Sequence, residues 1–401
     1  MAKRFSYLDH LECSQCQKRY EAEQLWNASP CCGRPLLARY DLAALRREVE
    51  PGELAGRVTS MWRYHELLPV SKAEAVLSLG EGMTPLLEMA QLGLPGMQDA
   101  ANLLIKDEGL NPTGSFKARG MAAAVARAIE LGAKGLVTPT AGNAGAALAA
   151  YAARAGLPAY VALPEDTPQT YIAQARRYGA EVELVRGLIS DAGVVAARVG
   201  QERGWFNVAT LKEPYRAEGK KTMGLELAEQ LGWRLPEAII YPAGGGTGIV
   251  GMWKAFQELR DLGWLREQRL PRLIMVQAEG CAPLVKAFLA GADEAEAWPA
   301  SEAKTSAMGL RVPSAIGDRL ILQAIRESGG TALTVSDASM ERMVEYIARH
   351  AGIWASLEAA ATLAAYHQLV EQQVIASNSQ TVLFFTGSGW GGGESMQEMG
   401  K

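Results

Sequence analysis

Lys117 is the residue of this chain whose surroundings most clearly predict chemistry. It follows an Asn-Pro-Thr-Gly turn at residues 111–114 and opens a run of helix formers that extends to Leu131, with Gly132 placed to end the helix. A lysine in the first turn of a helix lies at the positive end of the helix dipole, which disfavours the ammonium form. A lysine with a lowered pKa can attack a carbonyl carbon. An exposed, inert lysine after a turn could have the same local sequence. Whether Lys117 is reactive therefore has to be judged from the other loops that could form a site with it.

A glycine-rich loop lies between a predicted strand at 238–242 and a predicted helix that follows it. It consists of Gly244, Gly245, Gly246, Thr247 and Gly248. Such a loop can turn its backbone N–H groups toward an anion, and the helix N-terminus adds a favourable field. The loop departs from the dinucleotide fingerprint and from the P-loop pattern. We therefore predict that it binds the phosphate group of a different kind of ligand.

Polar residues follow two other predicted strands. The first loop, before a predicted helix at 143–155, contains Thr138, Thr140, Ala141, Gly142 and Asn143, and the second, after a strand at 381–385, contains Thr386 and Ser388. The first loop offers hydroxyls and backbone N–H groups to a carboxylate. Asn143 offers an amide donor to a ligand, or else it caps the helix that follows. The second loop offers two hydroxyls at a strand end.

Composition and charge exclude several classes of function. The chain has 401 residues, a hydrophobic content of 48% and a net charge of −4. These values are typical of a globular protein with two or three domains. Without a basic face we expect no nucleic-acid partner. The apolar stretches are shorter than a membrane span, and residues 1–10 lack an apolar core of the kind found in export signals. We therefore expect a cytoplasmic protein with no membrane partner.

Alternating strands and helices from about residue 70 onward predict an α/β fold with parallel sheets. Predicted strands lie at 135–138, 159–163, 181–185, 238–242, 272–277 and 381–385. Ligands of such folds bind in the loops beyond the carboxyl ends of the strands. The polar loops described above occupy these positions.

Four cysteines are concentrated in the first 32 residues. Cys13, Cys16, Cys31 and Cys32 have the approximate spacing of a zinc ribbon. Adjacent cysteines chelate one ion awkwardly, so His10 is a further candidate ligand. The sequence therefore predicts a ribbon-like N-terminal extension and leaves open whether it holds structural zinc.

The order of these motifs resembles that of pyridoxal phosphate enzymes of the tryptophan-synthase-β fold group (fold type II), and within that group the threonine synthases. The resemblance rests on four segments: Ser-Phe-Lys-Ala-Arg-Gly at 115–120, Leu-Gly-Glu-Gly-Met-Thr-Pro-Leu at 79–86, Tyr-Arg-Ala-Glu-Gly-Lys-Lys-Thr at 215–222, and Thr-Gly-Ser-Gly at 386–389. It implies two open twisted parallel-sheet domains with the cofactor between them. The implied boundaries are 1–50 for the extension, 51–120 with 235–401 for the large domain, and 121–234 for the small one.

The resemblance also implies a role for each loop. Lys117 would hold the cofactor covalently and then act as base and acid, with Phe116 beside it, Asn143 on the phenolic oxygen and Gly244 to Gly248 around the phosphate. Thr386, or else Ser388, would meet the pyridine nitrogen. The implied substrate-binding residues are Ser115, Thr138, Thr140, Ala141, Gly142 and Arg216, the last as the fork for a substrate phosphate.

The implied activity is that of a carbon–oxygen lyase of threonine biosynthesis, which converts O-phospho-L-homoserine and water to L-threonine and phosphate, in a homodimer. Two departures from the family pattern lie on the substrate side. Ala144 stands where a threonine is usual, and Ala-Ser-Leu-Glu-Ala-Ala at 355–360 lacks the usual proline and glycine. A serine/threonine ammonia-lyase or a β-replacement enzyme similar to cysteate synthase is therefore the alternative on the same fold.

Overall fold

The computed structural model describes residues 3–89 and 102–391, and its strands form three sheets. Within these ranges the strands are β1 Leu8–Cys13, β2 Arg19–Glu21, β3 Leu36–Tyr40, β4 Leu86–Glu88, β5 Leu103–Asp107, β6 Leu136–Pro139, β7 Ala159–Pro164, β8 Glu181–Val185, β9 Phe206–Asn207, β10 Ala238–Pro242, β11 Arg272–Ala278, β12 Thr331–Val335 and β13 Thr381–Phe385.

Helices connect most of these strands. In the same ranges they are α1 Leu42–Glu48, α2 Lys117–Glu130, α3 Asn143–Ala155, α4 Gln169–Arg177, α5 Ile189–Arg203, α6 Tyr215–Gln230, α7 Thr247–Leu262, α8 Pro283–Leu289, α9 Asp318–Glu327, α10 Asp337–Ala351 and α11 Leu357–Glu371. None of the helices in this part of the chain is long and apolar enough to cross a membrane.

Two of the sheets are parallel, as the sequence predicts. One has six strands in the order β12-β11-β10-β13-β5-β4, with only β4 antiparallel to its neighbour, and the other has four in the order β8-β7-β6-β9. The chain is therefore an α/β protein with two parallel-sheet units. The small antiparallel sheet β2-β1-β3 precedes them. The domain boundaries drawn from the sequence stay a prediction.

Strand order brings the predicted site loops together. Strand β13 lies between β10 and β5, so the glycine-rich loop after β10 is a neighbour of Thr386 after β13. On the other side, Phe385 pairs with Asp107 at the end of β5, and Ser115 forms a bridge with Gly387. Lys117 therefore starts α2 beside the end of β13, at the edge of the sheet where ligands bind in such folds.

A buried ion network fixes the start of α2. Arg119, two residues after Lys117, is fully buried, and its Nε lies 2.6 Å from Glu108 while its Nη1 lies 2.8 Å from Glu226 on α6. Lys106 of β5 reaches the same Glu226 at 2.5 Å. The network joins β5, α2 and α6, and buried charges of this kind are tolerated because each has an opposite charge and hydrogen bonds.

The helix pair inside this network packs closely. A Cβ atom at Gly219 of α6 would lie 2.1 Å from the carbonyl oxygen of Arg119, so the backbones of α2 and α6 approach in a way that only glycine permits. Any change that moves α6 therefore also moves the helix that carries Lys117.

We predict that Glu226→Gln destabilises the protein by about 3–5 kcal/mol, because Arg119 and Lys106 would remain buried without that counter-charge. The control is Glu181→Gln, which removes an exposed partner of Arg203 and should cost less than about 1 kcal/mol. Urea unfolding of both variants measures the change in the free energy of unfolding. Equal losses in the two variants would show that the buried network does not stabilise the protein more than an exposed ion pair does.

Candidate active site

A cavity of about 680 Å³ lies where the carboxyl ends of the two parallel sheets meet. Its walls come from the loop after β6, the loops after β10 and β13, and the first turn of α2. Twelve of the predicted residues line it: Phe116, Lys117, Thr140, Ala141, Gly142, Asn143, Gly244, Gly245, Gly246, Thr247, Gly248 and Thr386. The site predicted from separate loops is therefore one space.

Lys117 is the first residue of α2, and its side chain lines the cavity. Burial, as the largest cause, and the positive charge of Arg216 lower the pKa of its ammonium to about 7, although Glu358 acts in the opposite direction. The dominant cause is thus desolvation rather than the helix dipole inferred from the sequence. A large share of Lys117 is a neutral amine near neutral pH, as a nucleophile requires.

The glycine-rich loop after β10 leads into α7, whose N-terminus has no side-chain cap among the described residues. The first N–H groups of α7 therefore remain available to an anion. Gly246 has φ +64°, and a Cβ atom there would lie 2.1 Å from Cδ1 of the buried Ile321. Glycine is required at this position both by the backbone conformation and by the close approach of α9.

Thr140 rather than Asn143 supports the start of α3. Its hydroxyl oxygen accepts hydrogen bonds from the N–H groups of Gly142, at 3.0 Å, and Gly145, at 3.2 Å. Asn143 is the first helical residue, and the N-cap position is held by Gly142 without a side-chain hydrogen bond. The interpretation of Asn143 as the helix cap was therefore wrong, and its amide lines the cavity instead.

Of the two hydroxyls after β13, only Thr386 is on the wall of the cavity among the described residues. Its carbonyl oxygen accepts a hydrogen bond from the N–H of Phe116 at 3.0 Å, which ties it to the Lys117 turn. Ser388 instead donates its N–H to the carbonyl of Gly114 and pairs with Ala355. The sequence left this choice open, and the geometry favours Thr386.

Three predicted substrate residues lie behind the wall of the cavity. Thr138 is buried in β6 and donates to the carbonyl of Pro139, and the buried hydroxyl of Ser115 has no hydrogen-bond partner in the described ranges. Arg216 is buried on α6, where its Nη1 donates to the carbonyl of Val208 at 2.7 Å. Its Nε and Nη2 have no partner in residues 3–89 and 102–391, and burial lowers its pKa to about 10.

Tyr171 and Glu358 are among the cavity-lining side chains that were not assigned to the site from the sequence. Tyr171 of α4 packs against Gly142, where a Cβ atom would lie 2.7 Å from the Tyr171 ring. Glu358 of α11 accepts a hydrogen bond from the N–H of Gly309 at 2.7 Å and so holds another part of the wall. Glu358 lies in the segment 355–360 that departs from the family pattern, which was the available signal; Tyr171 had none.

The donors around the cavity fit a phosphorylated aromatic aldehyde such as pyridoxal phosphate. Lys117 offers an amine to a carbonyl carbon, the uncapped end of α7 offers N–H groups to a phosphate, and Phe116 offers an aromatic wall. The hydroxyl of Tyr241 is buried beside Gly248 and lacks a hydrogen-bond partner in the described part of the chain, as a donor facing a ligand would.

The four N-terminal cysteines also converge. The Sγ atoms of Cys13, Cys16, Cys31 and Cys32 all lie within 4.8 Å of one another, so the cluster could bind a metal ion. The adjacency of the last two cysteines does not prevent this convergence, contrary to the expectation from sequence. His10 is not part of the cluster as the structure describes it; its Nδ1 lies 2.8 Å from Asp9.

Comparisons with known proteins agree with this geometry. Residues 77–387 match the model of the family described as pyridoxal-phosphate dependent enzyme. The chain is 35% identical to threonine synthase of Methanosarcina acetivorans over 94% of its own length and 91% of that protein, and equally similar to threonine synthase of Methanocaldococcus jannaschii, with the same coverage. Among solved structures, its fold resembles that of maize serine racemase (24% identity, TM-score 0.66, 79% of this chain and 91% of the other) and that of threonine deaminase isoform 2 from Solanum lycopersicum (22%, 0.65, 85% and 94%).

We predict that Gly246→Ala weakens pyridoxal phosphate binding by at least roughly tenfold, because displacement of Ile321 would shift the N–H groups at the start of α7. Equilibrium titration of the visible absorbance of the bound cofactor measures the affinity.

The matched control is Gly204→Ala. Gly204 has φ +65° but nothing within 4 Å of a Cβ atom, so the backbone cost of about 1–2 kcal/mol is shared while the crowding is absent. An equal loss of cofactor affinity in both variants would mean that the glycine loop does not hold the phosphate.

Proposed function

The chain belongs to the threonine synthase family of pyridoxal-phosphate dependent enzymes, and on that premise we propose that it converts O-phospho-L-homoserine and water to L-threonine and phosphate. In this reaction phosphate leaves Cγ of the substrate and water adds at Cβ. The observation that carries the proposal is the pairing of a desolvated amine, Lys117, with two separate anion sites. One site is the loop before α7. The other is the buried guanidinium of Arg216 behind the cavity wall, whose Nε and Nη2 lack hydrogen-bond partners among the described residues.

The residues that would hold the cofactor are Lys117, Asn143, the loop 244–248 and Thr386. Once bound, pyridoxal phosphate supplies an electron sink that makes the C–H bonds next to the substrate amino group acidic. Thr386 would offer a neutral hydroxyl, rather than a carboxylate, to the pyridine nitrogen of the bound cofactor. A neutral ring is a weaker sink, which suits elimination and replacement better than transamination.

Lys117 would carry the protons of the reaction. With a pKa lowered to about 7, its amine can accept the proton from Cα near neutral pH and, as an ammonium, return one to the substrate. The ion pairs of Arg119 hold the first turn of α2, so the amine acts from a fixed position. Positioning of this kind contributes to rate because the reacting atoms need not be reoriented.

The loop after β6 is suited to the substrate carboxylate. Thr140 uses its hydroxyl oxygen to accept from Gly142 and Gly145, which leaves its O–H proton available to donate outward. Ala141 and Gly142 line the cavity next to it. The backbone of this loop is fixed by those bonds before any substrate arrives.

Arg216 is suited to the phosphate that leaves. Its Nε and Nη2 are the two nitrogens that lack partners among the described residues, and the pair can form the bidentate fork that phosphate oxygens match. Arg216 is also close enough to Lys117 to lower its pKa. A phosphate bound there would therefore be near the amine that transfers protons.

One observation favours the alternative, a serine/threonine ammonia-lyase or a β-replacement enzyme. Ala144 lines the cavity at a position where the family usually has a threonine, so one hydroxyl expected near the substrate phosphate is missing. An enzyme acting on an unphosphorylated amino acid would not need that hydroxyl.

We predict that the purified holoenzyme releases threonine and phosphate from O-phospho-L-homoserine in equal amounts, scored in the same sample. Phosphate accompanied by 2-oxobutyrate and ammonia would mean that elimination occurs without water addition. An absence of turnover while the cofactor is bound would overturn the proposal in favour of the alternative.

A substitution separates the phosphate site from the cofactor site. Arg216→Met should lower kcat/KM for O-phospho-L-homoserine by roughly 100-fold, because a buried charge-assisted pair with the substrate is lost, while cofactor absorbance is retained. Arg203→Met, which removes an exposed arginine paired with Glu181, is the control and should leave kcat/KM unchanged.

A further inference from the structure

The side chain of Asn27 in the N-terminal ribbon hydrogen-bonds to a segment that forms part of the cavity wall. We propose that Cys13, Cys16, Cys31 and Cys32 hold one Zn²⁺, and that this ion keeps Asn27 clamped on the segment 207–212, which supports the cofactor site from outside. The inference goes beyond the proposed reaction, since it requires only that the cavity binds pyridoxal phosphate.

The four sulfur atoms have the spacing that a tetrahedral zinc site needs. With Zn–S distances of about 2.3 Å, the sulfur atoms of such a site lie about 3.8 Å apart. Here all four lie within 4.8 Å of one another, and the sulfur atoms of Cys16 and Cys31 are 3.3 Å apart. An all-thiolate set of four is typical of structural zinc, and each thiol would lose its proton on binding.

The ribbon supplies further support around the cluster. Ser29 has its hydroxyl 3.2 Å from the sulfur of Cys13 and accepts the N–H of Arg34 at 3.2 Å. With a thiolate at Cys13, the same hydroxyl can donate to the sulfur, as groups around metal ligands commonly do.

Asn27 lies on the loop that the metal would close. The loop runs from Cys16 to Cys31, and Asn27 is four residues before its end. Strand β2 within this loop is already paired with β1, and a bound ion would further restrict the remaining residues by joining the two ends of the loop. The position of Asn27 therefore depends on whether the four cysteines are joined.

The amide of Asn27 makes two hydrogen bonds to the other part of the molecule. Its Nδ2 donates to the carbonyl oxygen of Asn207 at 2.7 Å and to that of Lys212 at 3.0 Å. One side chain thus holds both ends of the segment 207–212.

This segment forms part of the cavity wall. Ala209, Thr210 and Lys212 line the cavity. Thr210 packs against the glycine-rich loop, where a Cβ atom at Gly245 would lie 3.1 Å from its Cγ2, and Val208 accepts the hydrogen bond of Arg216. Asn27 therefore supports both anion sites indirectly, because the segment 207–212 that it holds contacts the glycine-rich loop and Arg216.

The experiment uses the full-length protein. Two quantities are measured: its metal content, and its affinity for pyridoxal phosphate by absorbance titration. We expect one zinc ion per chain, and about tenfold weaker cofactor binding after removal of zinc by a chelator, restored by added zinc. Protein purified with no zinc bound, or with Cys16 and Cys31 joined as a disulfide, would overturn the metal site.

Substitutions at Asn27 test the clamp while the metal stays in place. Asn27→Ala and the isosteric Asn27→Asp, which cannot donate, should keep zinc and the urea unfolding midpoint but bind the cofactor about tenfold more weakly. Gln24→Ala, on the same loop, is the control and should change neither. Unaltered cofactor affinity in both Asn27 variants would overturn the clamp, and because the readout is binding rather than turnover, this failure is distinct from a failure of the proposed reaction.

Discussion

The position of Lys117 depends on the buried charges around Arg119. Arg119 faces Glu108 and Glu226, and Lys106 shares the second carboxylate, so β5, α2 and α6 are joined inside the protein. A buried ion cannot be left unpaired without a large loss of stability, which makes this arrangement close to all-or-none. The turn that carries Lys117 is therefore held before a ligand binds, and Arg216 lies on α6, the same helix that carries Glu226.

The same burial that requires ion pairs for Arg119 leaves Lys117 without one among residues 3–89 and 102–391. Desolvation and the charge of Arg216 make its ammonium unfavourable, and Glu358 offsets only part of this effect. The cavity thus combines a neutral amine with the positively polarised start of α7, and the charge of Arg216 lies buried behind its wall. Such a combination attracts an anionic aldehyde and an anionic substrate while it keeps the nucleophile unprotonated.

The sequence predicted the parts of this site that are local. Strands β8, β10 and β13 and helix α3 have the predicted bounds, because alternation of apolar runs with turn residues depends on neighbours in the chain. The short strand β9 and the partly exposed β12 were missed, since their patterns are weak. The fully buried strand β5 was missed as well. Tyr171, Glu358 and the pairing of Arg119 were also missed, because each depends on contacts between distant segments. The convergence of Cys31 and Cys32 on Cys13 and Cys16 was underestimated for the same reason: the turns of the ribbon, not the cysteine spacing, decide where the sulfur atoms lie.

The central claim is that the desolvated amine of Lys117 attaches the cofactor. Its most direct test is borohydride reduction of the apoprotein mixed with pyridoxal phosphate at a series of pH values, followed by peptide mass spectrometry, with Lys117→Ala as the blank. A lowered lysine pKa keeps the amine neutral and reactive down to that pKa and loses reactivity below it. The account predicts modification of Lys117 that is half-maximal near pH 7 and absent from the blank. Modification of another lysine, or a midpoint near the ordinary lysine value of about 10.4, would contradict it.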